Sequence, residues 1–422
     1  MKDEAVEVVV DRIGASGDGI TEHERQRLFI PGTLPGERVA VRLGPARGEG
    51  RAASVVRRLS DAATRIAPAC RHFGRCGGCA LQHLAPAAYA AWKRALVVDA
   101  LSRRGLSTTV DDILVVPPGD RRRAAFSAVG RKGGAVLGFA EAQSHALVDL
   151  IECPVTAPAL LRLLAPLRTV LGGLLAAGER AQAFATLTAT GVDLVLEIDQ
   201  VPGLAARERL ALLADEMDLA RLSWRRPGGS TETLAQRREV RVSFDGQSTA
   251  FPPGAFLQAS PVGEAALIAS VLAGIGDAGT VLDLYAGIGT FSLPMSRRAK
   301  VTAIEGDAEA VRALAASDAA KAGRLAVERR DLARNPPDTS LLDRYDAVVF
   351  DPPRTGARRV AEALAASAVG IAVGVSCNPQ TFARDARTLV DGGFRLLRVL
   401  PVDQFLWSPH VELVALFRRE AS

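Results

Sequence analysis

A chain of 422 residues, 48% hydrophobic and 23% charged, is long enough for two or three domains with cores of their own, and none of its apolar runs reaches membrane-span length. The net charge of +5 and a pI of 9.2 do not by themselves imply a polyanionic partner. Arginine, however, clusters at Arg57-Arg58, Arg121-Arg122-Arg123, Arg225-Arg226 and Arg237-Arg238, where a planar fork suits phosphate. Taken singly, each cluster also reads as a solvated face. The opening MKDEAVEVVV lacks the basic-then-apolar order of a secretory leader, so the expected location is cytoplasmic, with no membrane association.

In chain order, Val6 to Arg58 reads as short alternating strands cut by glycine turns, which predicts a β-barrel of about five strands over residues 1–60. Its FIPGTLPGERVAVRL run resembles TRAM domains, OB-like RNA-binding barrels. Residues 61–250 follow as a cysteine-bearing segment and a middle α+β domain. Cys70, Cys76 and Cys79, with glycines between them, can converge on one centre, and Cys153 supplies a fourth thiol. Four thiols in a cytosolic protein imply a metal before a disulfide, and spacing leaves zinc and an iron–sulfur cluster both open. His72 and His83 read as structural or RNA-facing. A helix is predicted over about 87–105, ending at a glycine and free to pack on the C-terminal domain, residues 251–422. Alternating runs such as AVLGFAEA, AFATLTATGVDLVLEI and EVRVSFDG, separated by helical stretches, complete the middle domain.

Residues 251–422 change character. Apolar strands end in Asp283 with a Gly287-x-Gly289 turn, in Glu305, before Asp331, before Asp351-Pro352-Pro353, and before Cys377, with helices between them. Strands alternating with helices predict a Rossmann-like, doubly wound α/β domain whose strand ends face a ligand crevice. The glycine turn lets a ligand approach the backbone, and a carboxylate at the second strand's tip can accept both ribose hydroxyls. The three-glycine phosphate fingerprint is absent, so S-adenosylmethionine fits better than a dinucleotide. A lone cysteine is ordinarily a small buried residue, but Cys377 stands at a strand end just before an Asn-Pro pair expected to break the chain into a loop.

The motifs GAFLQAS, DLYAGIGTFSLP, DPPRTG, SCNPQT and FLWSPHVE, with CRHFGRCGGCALQH, together resemble the S-adenosylmethionine-dependent RNA uracil-5-methyltransferases. The particular resemblance is to the TRAM-containing, iron–sulfur branch that acts on 23S rRNA. It implies a nucleophile at Cys377, a base at Glu412, cofactor contacts from Gln258, Tyr285, Glu305, Asp331 and Asp351, and a [4Fe-4S] cluster on Cys70, Cys76, Cys79 and Cys153. The five cysteines are then all used. Ser260, Asp318, Leu406 and Ser408 depart from the family pattern, which touches positioning more than chemistry.

The implied reaction is thiolate addition to uracil C6, methyl transfer to C5, removal of the C5 proton and elimination, on a base in a loop or flipped from its stack. Transfer RNA is the alternative substrate. An amino-methyltransferase of the same fold would need no Cys377, and a non-catalytic RNA-binding protein would not need Cys377 and Glu412 together. Nothing in the sequence calls for an obligate protein partner.

Overall fold

The computed structural model describes residues 5–419, so the extreme ends of the ranges 1–60 and 251–422 lie outside the described residues. Among the described residues, the strands Val6–Val9, Arg12–Ile13, Gly19–His23, Gln26–Ile30, Arg38–Arg47 and Gly50–Ser60 form one sheet, one strand more than the alternation predicts. Val10 N donates to Glu37 O (3.0 Å) and Asp11 N to Ile20 O (2.9 Å). The link between the first two strands is therefore bonded toward both edges of the sheet, which curls around Val8, Val10, Leu28, Ile30, Val39 and Val41.

The middle sheet has seven strands in the order Leu147–Asp149, Gly134–Ala140, Arg123–Arg131, Arg180–Thr188, Gly191–Ile198, Arg221–Arg225 and Glu232–Gln236. The helices Leu164–Leu174 and Leu204–Glu216 bury Leu167, Leu171, Leu210 and Leu213 in its core. The EVRVSFDG run stays outside this sheet: Arg241–Phe244 pairs with Gln247–Ala250 as a two-stranded ribbon. The arginine clusters are largely engaged within the protein. Arg122 is buried against Glu264, Arg225 reaches Glu197 (2.8 Å), and Arg238 reaches Asp218 (2.8 Å).

In the C-terminal region the strands are β1 (Thr280–Leu284), β2 (Lys300–Glu305), β3 (Leu325–Arg329), β4 (Ala347–Phe350), β5 (Ile371–Ser376), β6 (Phe394–Asp403) and β7 (Glu412–Arg419). The sheet runs β3-β2-β1-β4-β5-β7-β6, parallel except for β7, which is antiparallel to both of its neighbours. Its helices include α1 (Pro261–Ile275), α2 (Ala308–Ala315), α3 (Arg358–Ala366) and α4 (Pro379–Asp391). β4 is buried throughout, as expected of a central parallel strand covered on both faces.

The helix Pro86–Ser102 also belongs to this layer. Its Val97, Ala100 and Leu101 join a core with Phe382 and Leu389 of α4, and Thr109–Val110 pairs in parallel with β6. A stretch that lies in sequence between the cysteines and the middle domain thus extends the C-terminal sheet. Its apolar face needs a partner, and α4 supplies one.

Candidate active site

The C-terminal ends of β1 to β5 carry most of the singled-out residues. Cys377 follows β5 directly, half-buried, where the chain turns into α4. Local chemistry makes that turn: Asn378 Oδ1 accepts from Gln380 N (3.0 Å) as an N-cap, and Pro379 occupies the first helical turn. Asn378 Nδ2 and Thr381 Oγ1 both donate to Arg354 O (3.1 and 3.2 Å). The SCNPQT motif therefore also fixes the DPPRTG loop, helped by Asp385 Oδ2, which accepts from Ala357 N (2.7 Å).

A chain of amides then joins three of the expected residues. Gln258 Nε2 donates to Asp351 Oδ2 (3.3 Å), while Gln404 Nε2 donates to Gln258 Oε1 (2.7 Å) and to Glu412 Oε2 (2.9 Å). Glu412, the first residue of β7, is buried. Burial, and then the charge of Asp351, pushes its carboxyl up to about 8, against the pull of Gln404 and Arg354. Asp351 is pushed up to about 7 by burial. Burial and then Glu412 and Asp351 push the Cys377 thiol up to about 11, while Arg354 acts to lower it. Cys377 and Glu412 thus both feel the charges of Asp351 and Arg354.

Tyr285, Glu305 and Asp331 form a second group beside the first. Glu305 ends β2, and its carboxylate accepts from Gly287 N (2.8 Å), Gly306 N (2.7 Å) and Asp307 N (2.8 Å). Asp331, exposed beyond β3, accepts from Ala333 N (3.0 Å). Tyr285 sits just after β1 at φ 63°, and its phenol is raised by burial and then by Asp385, Asp331 and Glu305. A Cβ on Gly289 would lie 2.6 Å from Leu314 and 2.9 Å from Leu293, whereas Gly287 faces open space within 4 Å. Between the two groups lies Asp283, wholly buried, which accepts from Ser292 Oγ through one oxygen and has no partner on the other. Burial raises it to about 7.

Sequence reasoning missed Gln404, Arg354 and His410, and took Asp283 only as a strand end. Arg354 and His410 lie inside quoted motifs, but Gln404 carries no motif and is found only through its hydrogen bonds. Ser260, where the family pattern has Asn, caps α1 by accepting from Gly263 N (2.8 Å) and donates to Asp120. Ser408 Oγ donates to Phe405 O (2.7 Å), Leu406 is buried, and Asp318 lies beside Lys321 on the surface.

The cysteine-bearing segment is less closed than expected. Cys70, Cys76 and Cys79 are raised first by burial, and Cys79, at about 12, also feels Cys153, Cys76 and Cys70. His72 N, Gly78 N and Thr156 Oγ1 donate to the sulfurs of Cys70 (3.4 Å), Cys76 (3.5 Å) and Cys153 (3.3 Å). The four thiols share a neighbourhood, yet among the described residues no group of three or more His, Cys, Asp or Glu side chains is arranged to hold a metal ion. His83 is fully buried, with neither ring nitrogen bonded, so it does not face RNA.

The chain aligns over nearly its whole length with an uncharacterized RNA methyltransferase of Caulobacter vibrioides, 44% identical over 98% of this chain and 100% of that protein. The 23S rRNA (uracil(1939)-C(5))-methyltransferase RlmD of Chromohalobacter salexigens is 36% identical, covering 97% and 89%. The family model for tRNA (Uracil-5-)-methyltransferase matches residues 251–420. The chain belongs to the RNA uracil-5-methyltransferase family. Among solved structures, the Pyrococcus abyssi tRNA (uracil-54, C5)-methyltransferase in complex with S-adenosyl-L-homocysteine shares this methyltransferase's fold at TM-score 0.75 and 22% identity, over 98% of this chain and 100% of that one. No helix among the methyltransferase's described residues is long and apolar enough to cross a membrane.

Proposed function

We propose that this enzyme transfers a methyl group from S-adenosylmethionine to C5 of one uridine in 23S rRNA, through a covalent bond between Cys377 and C6, with Glu412 as the base. The observation that carries this reading is the buried Glu412 and the half-buried Asp351 beside the strand-end thiol of Cys377, with Arg354 acting on both Cys377 and Glu412. When bound, S-adenosylmethionine supplies an electrophilic methyl group on a sulfonium centre. Glu305, Tyr285 and Asp331 are its proposed contacts, because an anion fixed by backbone amides stands beside the open approach to Gly287. Gln258 and Asp351 complete the proposed set between donor and base.

The chemistry follows from the neighbours of each group. A thiol held near 11 keeps its proton until uracil is seated, and the proton then passes to Asp351, which leaves Glu412 free to act as base. The thiolate adds to C6, C5 becomes an enolate carbon and attacks the methyl group, and the donor leaves as the thioether. A carboxyl near 8 is matched to taking the C5 proton close to neutral pH. Elimination then breaks the C6–S bond, the thiolate takes its proton back from Asp351, and Glu412 gives the C5 proton to solvent. Gln404, bonded to Glu412, holds the base in line.

The same reading assigns RNA contact to the N-terminal sheet as a TRAM-like barrel, and assigns Cys70, Cys76, Cys79 and Cys153 as holders of a [4Fe-4S] cluster. Donors already directed at three of the sulfurs suit thiolates bound to iron. The choice of 23S rRNA follows the relative named RlmD, while the family model's name and the Pyrococcus abyssi enzyme keep tRNA as the second substrate. A soluble cytoplasmic enzyme with no obligate protein partner fits both.

The test is methylation of unmodified 23S rRNA and of unmodified tRNA with labelled donor, followed by mapping of 5-methyluridine. Label in 23S rRNA only is expected. Label in tRNA alone moves the substrate, and turnover by Cys377→Ala comparable with wild type removes the nucleophile.

A further inference from the structure

Lys93 lies on the helix Pro86–Ser102, more than three hundred residues from the loop it touches, and its side chain is fully buried. Its Nζ donates to Asp403 Oδ1 (2.6 Å), to Phe405 O (3.4 Å) and to His410 O. Asp403 ends β6, and residues 404–411 form the loop that leads into Glu412 at the start of β7. All three acceptors of one ammonium therefore belong to one short connection, two at its start and one near its end.

Other bonds fasten the same loop. Tyr89 OH donates to Asp403 Oδ2 (2.5 Å) and accepts from Trp407 N (2.7 Å). Ala80 N and Leu81 N, directly after Cys79, both donate to Trp407 O (2.8 and 3.1 Å). Trp407 itself stands at φ 60°, a backbone state that a bulky residue holds only where its surroundings over-determine it. The loop in turn presents two groups to the site: Gln404 to Glu412, and the His410 imidazole, whose Nδ1 lies 2.5 Å from Arg354 Nη2.

A fully buried ion pair is a poor way to gain stability, because desolvation offsets the attraction and apolar residues of similar volume serve about as well. What a buried ammonium adds is directed donors. We propose that Lys93 is a positioning residue of the methyl-transfer site: it holds the 404–411 loop so that Gln404 meets Glu412 and His410 meets Arg354. This rests on the reading that Cys377 and Glu412 perform the chemistry.

The experiment compares the full-length wild type with Lys93→Met and with Lys93→Met/Asp403→Asn, on unmodified 23S rRNA and labelled S-adenosylmethionine, reading kcat, KM for RNA and Tm. A loop displaced by about 1 Å predicts a loss in kcat of about 100-fold. KM for RNA should stay within about threefold, since the loss falls on the reacting geometry. The double variant buries no unpaired charge and should recover Tm without recovering kcat. Should Lys93→Met fail to fold, the double variant carries the same test. A kcat within about threefold of wild type in the variant that folds overturns the proposal, as does recovery of kcat together with Tm in the double variant. Cys377→Ala in the same assay separates the two readings: if it stays active, the site assignment fails, whatever Lys93 does.

Discussion

Cys377 and Cys79 are both thiols held well above the ordinary range, at about 11 and about 12, and burial is the first cause for each; their neighbours differ. Around Cys377 the further causes are Glu412 and Asp351, opposed by Arg354. Around Cys79 they are the Gln82 side chain, which opposes the shift, and then Cys153, Cys76 and Cys70, which add to it. A thiol among carboxyls has somewhere to send its proton, and a nearby guanidinium to favour the anion that remains. Cys79 sits among thiols instead of carboxyls, with the Gln82 side chain acting to lower it and the Arg121 guanidinium near enough to feel both Cys79 and Cys153. On the proposed reading the first arrangement serves a reversible nucleophile and the second a bound cluster.

The strongest way to break this contrast is Cys377→Ala, which should lower methyl transfer by at least about 10⁴-fold, since covalent catalysis has no substitute atom there. Binding of the methyl donor should survive, as calorimetry would register. Next comes Glu412→Gln, expected to cost about 10²- to 10⁴-fold as a lost general base. Labelled RNA should accumulate as a protein adduct on denaturing gels, because methylated C5 keeps its proton. In the wild type the rate should rise as pH passes about 8, and that limb should vanish in the variant. No adduct and no change in the pH profile would assign the proton to another base.

Smaller effects sharpen the comparison. Glu305→Ala removes an acceptor fixed by three amides, and should weaken donor binding by about 10- to 100-fold, the worth of charged hydrogen bonds. On the other side of the contrast, anaerobically purified protein should be brown with absorption near ~400 nm, and Cys79→Ser should abolish it. Colourless anaerobic protein holding one zinc would exchange the cluster for a zinc site while leaving the methyltransferase reading intact.

The smallest expected effect is on stability against pH. Asp283, Asp351, Glu264 and Glu412 are all raised in the fold to about 7 or 8, so between the ordinary carboxyl range and those values the folded chain binds more protons than the unfolded one. Their contribution is complete below the ordinary range and is lost as pH climbs through 7 and 8, by at least about 2 kcal/mol in sum. Thermal melts should therefore give a higher Tm at about pH 5.5 than at about pH 8.5, and a flat profile would show these acids to be ionised in the fold.

By itself the sequence determined the features whose causes are local. Cys377 falls at a strand end because an apolar run meets Asn-Pro, and Asn378 caps the next helix with its own side chain. Glu305, Asp331 and Asp351 stand at or just past successive strands because apolar runs end there, and alternation with helices makes the sheet parallel. Only the tertiary structure decided that β7 returns antiparallel and buries Glu412, that the helix Pro86–Ser102 packs on α4, and that Arg122 serves Glu264 instead of phosphate. It also decided that Gln404 joins Gln258 to Glu412 across 146 residues of chain. A glutamine after an aspartate or a lysine in a helix carries no local signal, because its role lies wholly in partners that meet it only once the layers close.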